Sequence, residues 1–147
     1  MMPIIVMTVI GNVPRHWQPP SDHSSPTPPG FCWRFVPEGP FAVQFRSILR
    51  MDARAVLVWV GPDDAIGRAS KLIGRLLAAG LPIVIAIAEL HDPWSESVLR
   101  QAGALYICAN EAQQRLGQVL ESILGPPSLS IDVNTVKSLR EVNMDAN

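Results

Sequence analysis

The sequence predicts an α/β domain in which a parallel sheet carries helices on both faces. Three observations lead there. Short apolar runs rich in β-branched residues recur along the chain, amphipathic stretches with helical spacing fall between them, and glycine or proline separates one from the next. Runs that are apolar at every position, and not at alternate ones, mark strands buried on both faces, as in a parallel sheet covered on either side. Right-handed crossovers then distribute the helices over both faces.

The elements follow in order. Pro3 to Ile10 is a continuous apolar run that stops at Gly11-Asn12, and it reads as a first strand. Residues 13–30 hold six prolines among Ser, Asp and Thr, so no long helix runs there and a Pro-rich loop is expected. Phe31 to Val36, aromatic and β-branched, is a second strand. Pro37-Glu38-Gly39-Pro40 breaks it, and Pro40 suits the first turn of a helix whose inner face is Phe41, Phe45, Ile48 and Leu49. Ala55 to Val60 is a third strand, stopped by Gly61-Pro62. Asp63 or Asp64 then caps a helix with Ile66, Ala69, Ile73, Leu76 and Leu77 inward, ended by Gly80. Pro82 to Ala88 is a fourth strand. Pro93 opens a short helix to about Ala102, Leu105 to Cys108 is a fifth strand, and a last helix runs from about Asn110 to Leu124. Residues 1–125 thus make one α/β domain. Residues 126–147 are a tail with weak helical spacing at Val136, Leu139 and Val142, either a marginal docking helix or a disordered end.

Composition narrows the function. The chain has 147 residues, 48% hydrophobic and 17% charged, with 12 basic and 13 acidic side chains. That is enough apolar material for a core, and a net charge of -1 argues against gripping phosphate backbones by bulk charge. No nucleic-acid partner is expected. No apolar run approaches the ~20 residues of a membrane span, and the seven-residue stretch Ile4 to Ile10 lacks the flanks of a signal peptide, so no membrane partner and a cytoplasmic location are expected. Cys32 and Cys108 are then reduced thiols.

The stretch from Ala55 to Leu124 resembles the second half of a response-regulator receiver domain. The residues that carry the resemblance are the strand at Ala55–Gly61, the helix end and strand from Leu76 to Ala88, and the segment from Val98 to Leu124 with its Ala102-Gly103-Ala104 motif. The resemblance implies a flavodoxin/receiver-like three-layer αβα sandwich with five parallel strands in the order 2-1-3-4-5, its first helix replaced by the Pro-rich loop. In that order Cys32 and Cys108 fall on opposite sheet edges, roughly 19 Å apart from four strand spacings, beyond disulfide reach. Both are expected free and mostly buried.

Receiver chemistry needs acids after the first strand to hold Mg²⁺, an aspartate at the end of the third, Ser or Thr ending the fourth and Lys ending the fifth. Here those places hold Gly11 and Asn12; Trp59, Val60 and Gly61; Ala88 and Glu89; Ala109 and Asn110. A carboxylate nucleophile, oxygen ligands for the metal and a balancing cation are all missing. The resemblance therefore implies a degenerate receiver, with no catalytic residue, no metal and no cofactor, kept for protein contacts or for a homodimer. The face that receivers use for partners would carry Tyr106, Gln113, Gln114 and Gln118.

The alternative is a small-ligand or metal-binding enzyme at the carboxyl edge of the sheet, where open α/β folds bind ligands. Its pocket would use Asp63, Asp64, Glu89 and His91. Asn12, Arg15 and His16 after the first strand, and Glu111 after the fifth, share that edge. Capping is the simpler role for Asp63, Asp64, Asp92 and Asn110. His23, in the Pro-rich stretch, reads as solvated. No phosphate loop, dinucleotide fingerprint or nucleophile elbow occurs. Among four tryptophans, Trp59 reads as core, while Trp17 and Trp94 are either contact anchors or lids folded over the sheet edge.

Overall fold

A computed structural model describes residues 3–11, 31–62, 65–89 and 92–124, apart from the side chains of residues 113 and 114. Its elements are β1 (Ile4–Ile10), β2 (Cys32–Val36), α1 (Phe41–Arg50), β3 (Ala55–Val60), α2 (Ala65–Ala78), β4 (Val84–Ala88), α3 (Pro93–Gln101), β5 (Leu105–Cys108) and α4 (Ala109–Leu124). The five strands form one parallel sheet in the order β2-β1-β3-β4-β5. This is the flavodoxin-like, receiver-like architecture. The Pro-rich stretch 13–30 and the tail 126–147 lie outside the described residues, so the expectations for both do too.

The strand pleat sorts the core into two layers. Val6, Ile10, Val56, Val58, Val60, Val84, Ala86 and Tyr106 face α1, α2 and α3. Ile5, Met7, Val9, Leu57, Trp59, Ile85, Ile87 and Ile107 face the layer of α4. The inner strands β1, β3 and β4 feed both layers, which is why β3 and β4 are apolar at every position and β1 at all but Thr8. Cys32 and Cys108, on the two edge strands, are free; both are half-buried, less covered than expected, because each edge strand has a neighbour on one side only.

The helices start and stop for local reasons. Pro40 is the N-cap of α1, one position earlier than expected; its carbonyl accepts from the N–H groups of Val43 and Gln44, both at 3.0 Å. On α1 only Ile48 of the expected stripe is fully buried, and the inward face also holds Gln44. Gln44 Nε2 donates to Thr8 Oγ1 at 2.7 Å and to the Val9 carbonyl at 3.2 Å, while Thr8 Oγ1 donates to the Val36 carbonyl at 2.7 Å. The last β1–β2 partners are Thr8 and Val36, so Gln44 serves a β1 carbonyl that β2 is too short to reach.

Two glycines end two helices in the same way. At α2 the Leu81 N–H returns to the Leu76 carbonyl and the Gly80 N–H to Leu77; at α3 the Ala104 N–H returns to Leu99 and the Gly103 N–H to Arg100. Gly80 has φ +101° and Gly103 φ +108°. This paired pattern is the Schellman motif. It gives the Ala102-Gly103-Ala104 motif a physical cause: a left-handed helix stop followed by a buried alanine that leads into β5. Asp92 caps α3 as expected, its Oδ1 accepting from the Ser95 N–H at 2.9 Å with Pro93 at the first helical position. Asn110 does not cap the last helix, which begins one residue earlier and places Asn110 in its first turn.

Candidate functional site

The register brings four strand ends level at one edge of the sheet: Ile10 pairs with Val60, Val60 with Ala88, and Ala88 with Cys108. The residues that leave these ends are Gly11, Gly61, Glu89 and Ala109. The order 2-1-3 reverses direction between β1 and β3, so a ligand crevice in such a sheet opens between Gly11 and Gly61. Here that point is packed tight. Gly11 has φ +83°, and a Cβ placed on it would lie 2.7 Å from the Ala65 Cβ and 3.6 Å from the Gly61 Cα. The first turn of α2 therefore seats directly on the β1 exit.

One carboxylate ties this edge together. Glu38, just beyond β2, accepts from the Gly11 N–H at 3.1 and 3.2 Å and from Arg68 Nη1 of α2 at 2.8 Å. The three partners come from sequence positions nearly 30 residues apart, so no local spacing announces them. Half-exposed ion pairs of this kind contribute little to stability, and the role of Glu38 is to fix where β1 ends against α2.

Of the four residues in the expected pocket, only Glu89 is described; Asp63, Asp64 and His91 lie outside the described residues. The Glu89 N–H extends the ladder to the Val60 carbonyl at 3.1 Å. Its Oε2 is buried and has no hydrogen-bond partner among the described residues. Asn12, Arg15, His16, Trp17 and His23 are likewise undescribed. Glu111 is exposed and paired with Arg115 at 2.8 Å. Among the described residues no group of three His, Cys, Asp or Glu side chains is placed to hold a metal.

The expected partner face divides. Gln118 is exposed on α4, while the side chains of Gln113 and Gln114 are not described. Tyr106 is only 9% exposed, and its ring belongs to the opposite core layer, under α3. The reason is pleat parity: residue 106 points away from the α4 layer that Ile107 enters. The Arg100 guanidinium lies 5.8 Å from the Tyr106 ring centroid. Burial, followed by the neighbouring Cys108, Glu96 and Asp92, pushes the Tyr106 phenol up to about 12. Burial and then Glu111 also push the Cys108 thiol up, which makes it a poor nucleophile at neutral pH. Beside this edge Leu105 is exposed, and Trp94 at the start of α3 is 66% exposed, so its indole does not fold down over the sheet. Among the described residues no helix is long and apolar enough to cross a membrane.

No protein-family profile and no curated protein matches the sequence. Among solved structures, one from Salmonella typhimurium is similar in fold: the RcsB response regulator, in a study titled for its conformational dynamism in DNA interaction. The identity is 13% and the TM-score 0.54. The match covers 84% of this chain and 61% of the RcsB chain, so this chain spans about three fifths of that protein.

Proposed function

We propose that this chain is a non-catalytic protein-interaction domain of the signalling type, built on a receiver-like scaffold that does not take a phosphoryl group. The observation that carries the reading is the set of strand-end residues held level by the sheet: Gly11, Gly61, Glu89 and Ala109. Aspartyl phosphorylation needs a carboxylate at the third strand, oxygen ligands for Mg²⁺ beside it and a cation near the transferred charge. Glycine at the first and third strands supplies none of these. The close seating of Ala65 on Gly11 further supports a scaffold role, because it fills the switch point with the chain's own atoms. The partner is a protein or a second copy of the chain, in the cytoplasm, and the likeness of fold to a response regulator supports the signalling context.

The test is thermal unfolding of the full chain with Mg²⁺, Mn²⁺, Zn²⁺, beryllofluoride with Mg²⁺, and common nucleotides. A ligand at 100 times its dissociation constant adds ~2.7 kcal/mol, several degrees for a domain of this size. The proposal expects no shift with beryllofluoride and Mg²⁺.

A second reading has one observation behind it. Among the described residues the Oε2 of Glu89 has no partner; it is a buried acceptor at the edge where open α/β sheets bind ligands, and such a group wants a donor or a cation. On that reading a metal or an amine-bearing ligand raises the unfolding temperature, and Glu89→Ala abolishes the rise.

A further inference from the structure

The four helices divide by charge in a way that the net value conceals. α1 and α2 carry Arg46, Arg50, Arg68, Lys71 and Arg75 and no acidic residue; Arg54 comes four residues after Arg50, with the exposed Asp52 as the one acid between them. Arg68 is neutralised by Glu38. The other five basic side chains, Arg46, Arg50, Arg54, Lys71 and Arg75, are all exposed, and among the described residues none has a carboxylate partner. The two helices lie in the same layer, side by side: the Lys71 Nζ of α2 sits 4.9 Å from the ring centroid of Phe41 on α1. Arg46 and Arg50 stand one turn apart on α1, and Lys71 and Arg75 one turn apart on α2. One turn is ~6 Å of rise, inside the screening length of physiological salt. Arg50 and Arg75 sit in the last turns of their helices, where a cation complements the dipole, but Arg46 and Lys71 sit mid-helix and gain nothing from it.

The geometry points to the α1–α2 face as a docking surface for an acidic protein segment, one with carboxylates about a helical turn apart and an apolar residue between them. This deepens the non-catalytic interaction reading and rests on it. Three features select the occupant. Arginine forks pair with carboxylates in two-point geometry. Val43, three residues before Arg46 and on the same side of α1, is 58% exposed and offers an apolar seat inside the basic field. Outside residues 41–54 and α2 the chain carries six basic and 12 acidic residues, so a long polyanion such as duplex nucleic acid would meet repulsion beyond the patch. A membrane surface would want several exposed apolar side chains beside the cations, and the described residues of these helices offer Val43 as the large one.

The experiment measures fluorescence anisotropy of a fluorescein-labelled peptide of Glu-Leu-Ala-Glu repeats against the full chain, with duplex DNA and phosphatidylserine vesicles as competitors. The expected result is saturable binding that weakens between about 50 and 300 mM salt. The variant R46E/R50E/K71E/R75E should lose roughly tenfold or more in affinity, and the control R100E/R115E on the other helices less than roughly twofold. Circular dichroism checks the fold; if the reversal does not fold, R46Q/R50Q/K71Q/R75Q takes its place with a smaller loss. Absence of binding, equal losses in variant and control, or complete displacement by DNA or vesicles at lower concentration than by unlabelled peptide overturns the assignment. Phosphoryl uptake by the chain would instead defeat the non-catalytic reading and leave this surface standing, so the two failures are separable.

Discussion

The α1–α2 half and the α3–α4 half of the molecule treat charge in opposite ways. In α3 and α4 both arginines answer a glutamate one turn earlier, Glu96 with Arg100 and Glu111 with Arg115, each at 2.8 Å. In α1 and α2 no glutamate or aspartate exists to do this. Helices of both halves bury apolar residues against the sheet, and that burial does not require the difference in charge. It resides wholly on the outer faces. Surface i,i+4 pairs are worth only ~0.3–0.5 kcal/mol each, so stability is a weak reason for one half to have them and the other to lack them. What the pairing does change is the field each face projects.

The turns differ in how tightly they are packed, within a half as well as between the halves, and the largest expected effect lies there. Gly11→Ala places a methyl 2.7 Å from the Ala65 Cβ at a left-handed φ, and it should cost about 3 kcal/mol in urea unfolding through strain and the displacement of α2. An effect below about 1 kcal/mol would mean that α2 does not seat on the β1 exit. The two Schellman glycines make a matched pair. Gly80→Ala meets no neighbouring atom and should cost about 1 kcal/mol, from φ alone. Gly103→Ala meets the Leu77 Cδ1 at 2.5 Å and should cost about 2 kcal/mol, because Leu77 must leave its place against the core. Equal losses would show that Leu77 yields freely.

A pH prediction follows from Tyr106. Its folded-state value of about 12 lies above the ~10 of an unfolded tyrosine, so its contribution is complete below pH ~10 and is lost as pH rises toward 12. Tyr106→Phe should flatten the stability profile over that window and leave neutral pH little changed. An unchanged alkaline limb would place the phenol in solvent. The smallest effect belongs to Glu111→Gln, which releases Arg115 and should cost about 0.3–0.5 kcal/mol. It adds one positive charge to the α3–α4 half. If the acidic peptide reads the α1–α2 face, its affinity stays level; a rise would mean that it reads total charge.

Much of this fold was legible in the sequence, for identifiable reasons. The three inner strands are buried on two sides, so the apolar runs at Ile4–Ile10, Ala55–Val60 and Val84–Ala88 could not be mistaken for amphipathic elements. Gly80 announced the end of α2, because glycine takes its φ without strain; in the sequence Gly103 stands only as part of a motif, and the structure shows that it ends α3 in the same way. Gln44 hid the true inner face of α1, since a glutamine is ordinarily solvated and its partners Thr8 and Val9 lie 35 or more residues away. Glu38 with Arg68 was hidden by the same kind of distance. The side of Tyr106 turned on pleat parity, which a four-residue strand barely declares. The basic face was invisible to a net charge of -1, because 12 and 13 nearly cancel over the whole chain and only the topology lays α1 beside α2. Of the expected edge pocket only Glu89 falls among the described residues; Asp63, Asp64 and His91 lie outside them.

The most direct measurement of the central claim is the intact mass of the full chain after incubation with Mg²⁺ and acetyl phosphate. If Gly11 and Gly61 stand where receiver chemistry needs carboxylates, as proposed, the mass stays unchanged. A phosphoryl adduct that forms with Mg²⁺, is lost to hydroxylamine as an acyl phosphate is, and maps to a strand-end carboxylate would contradict it.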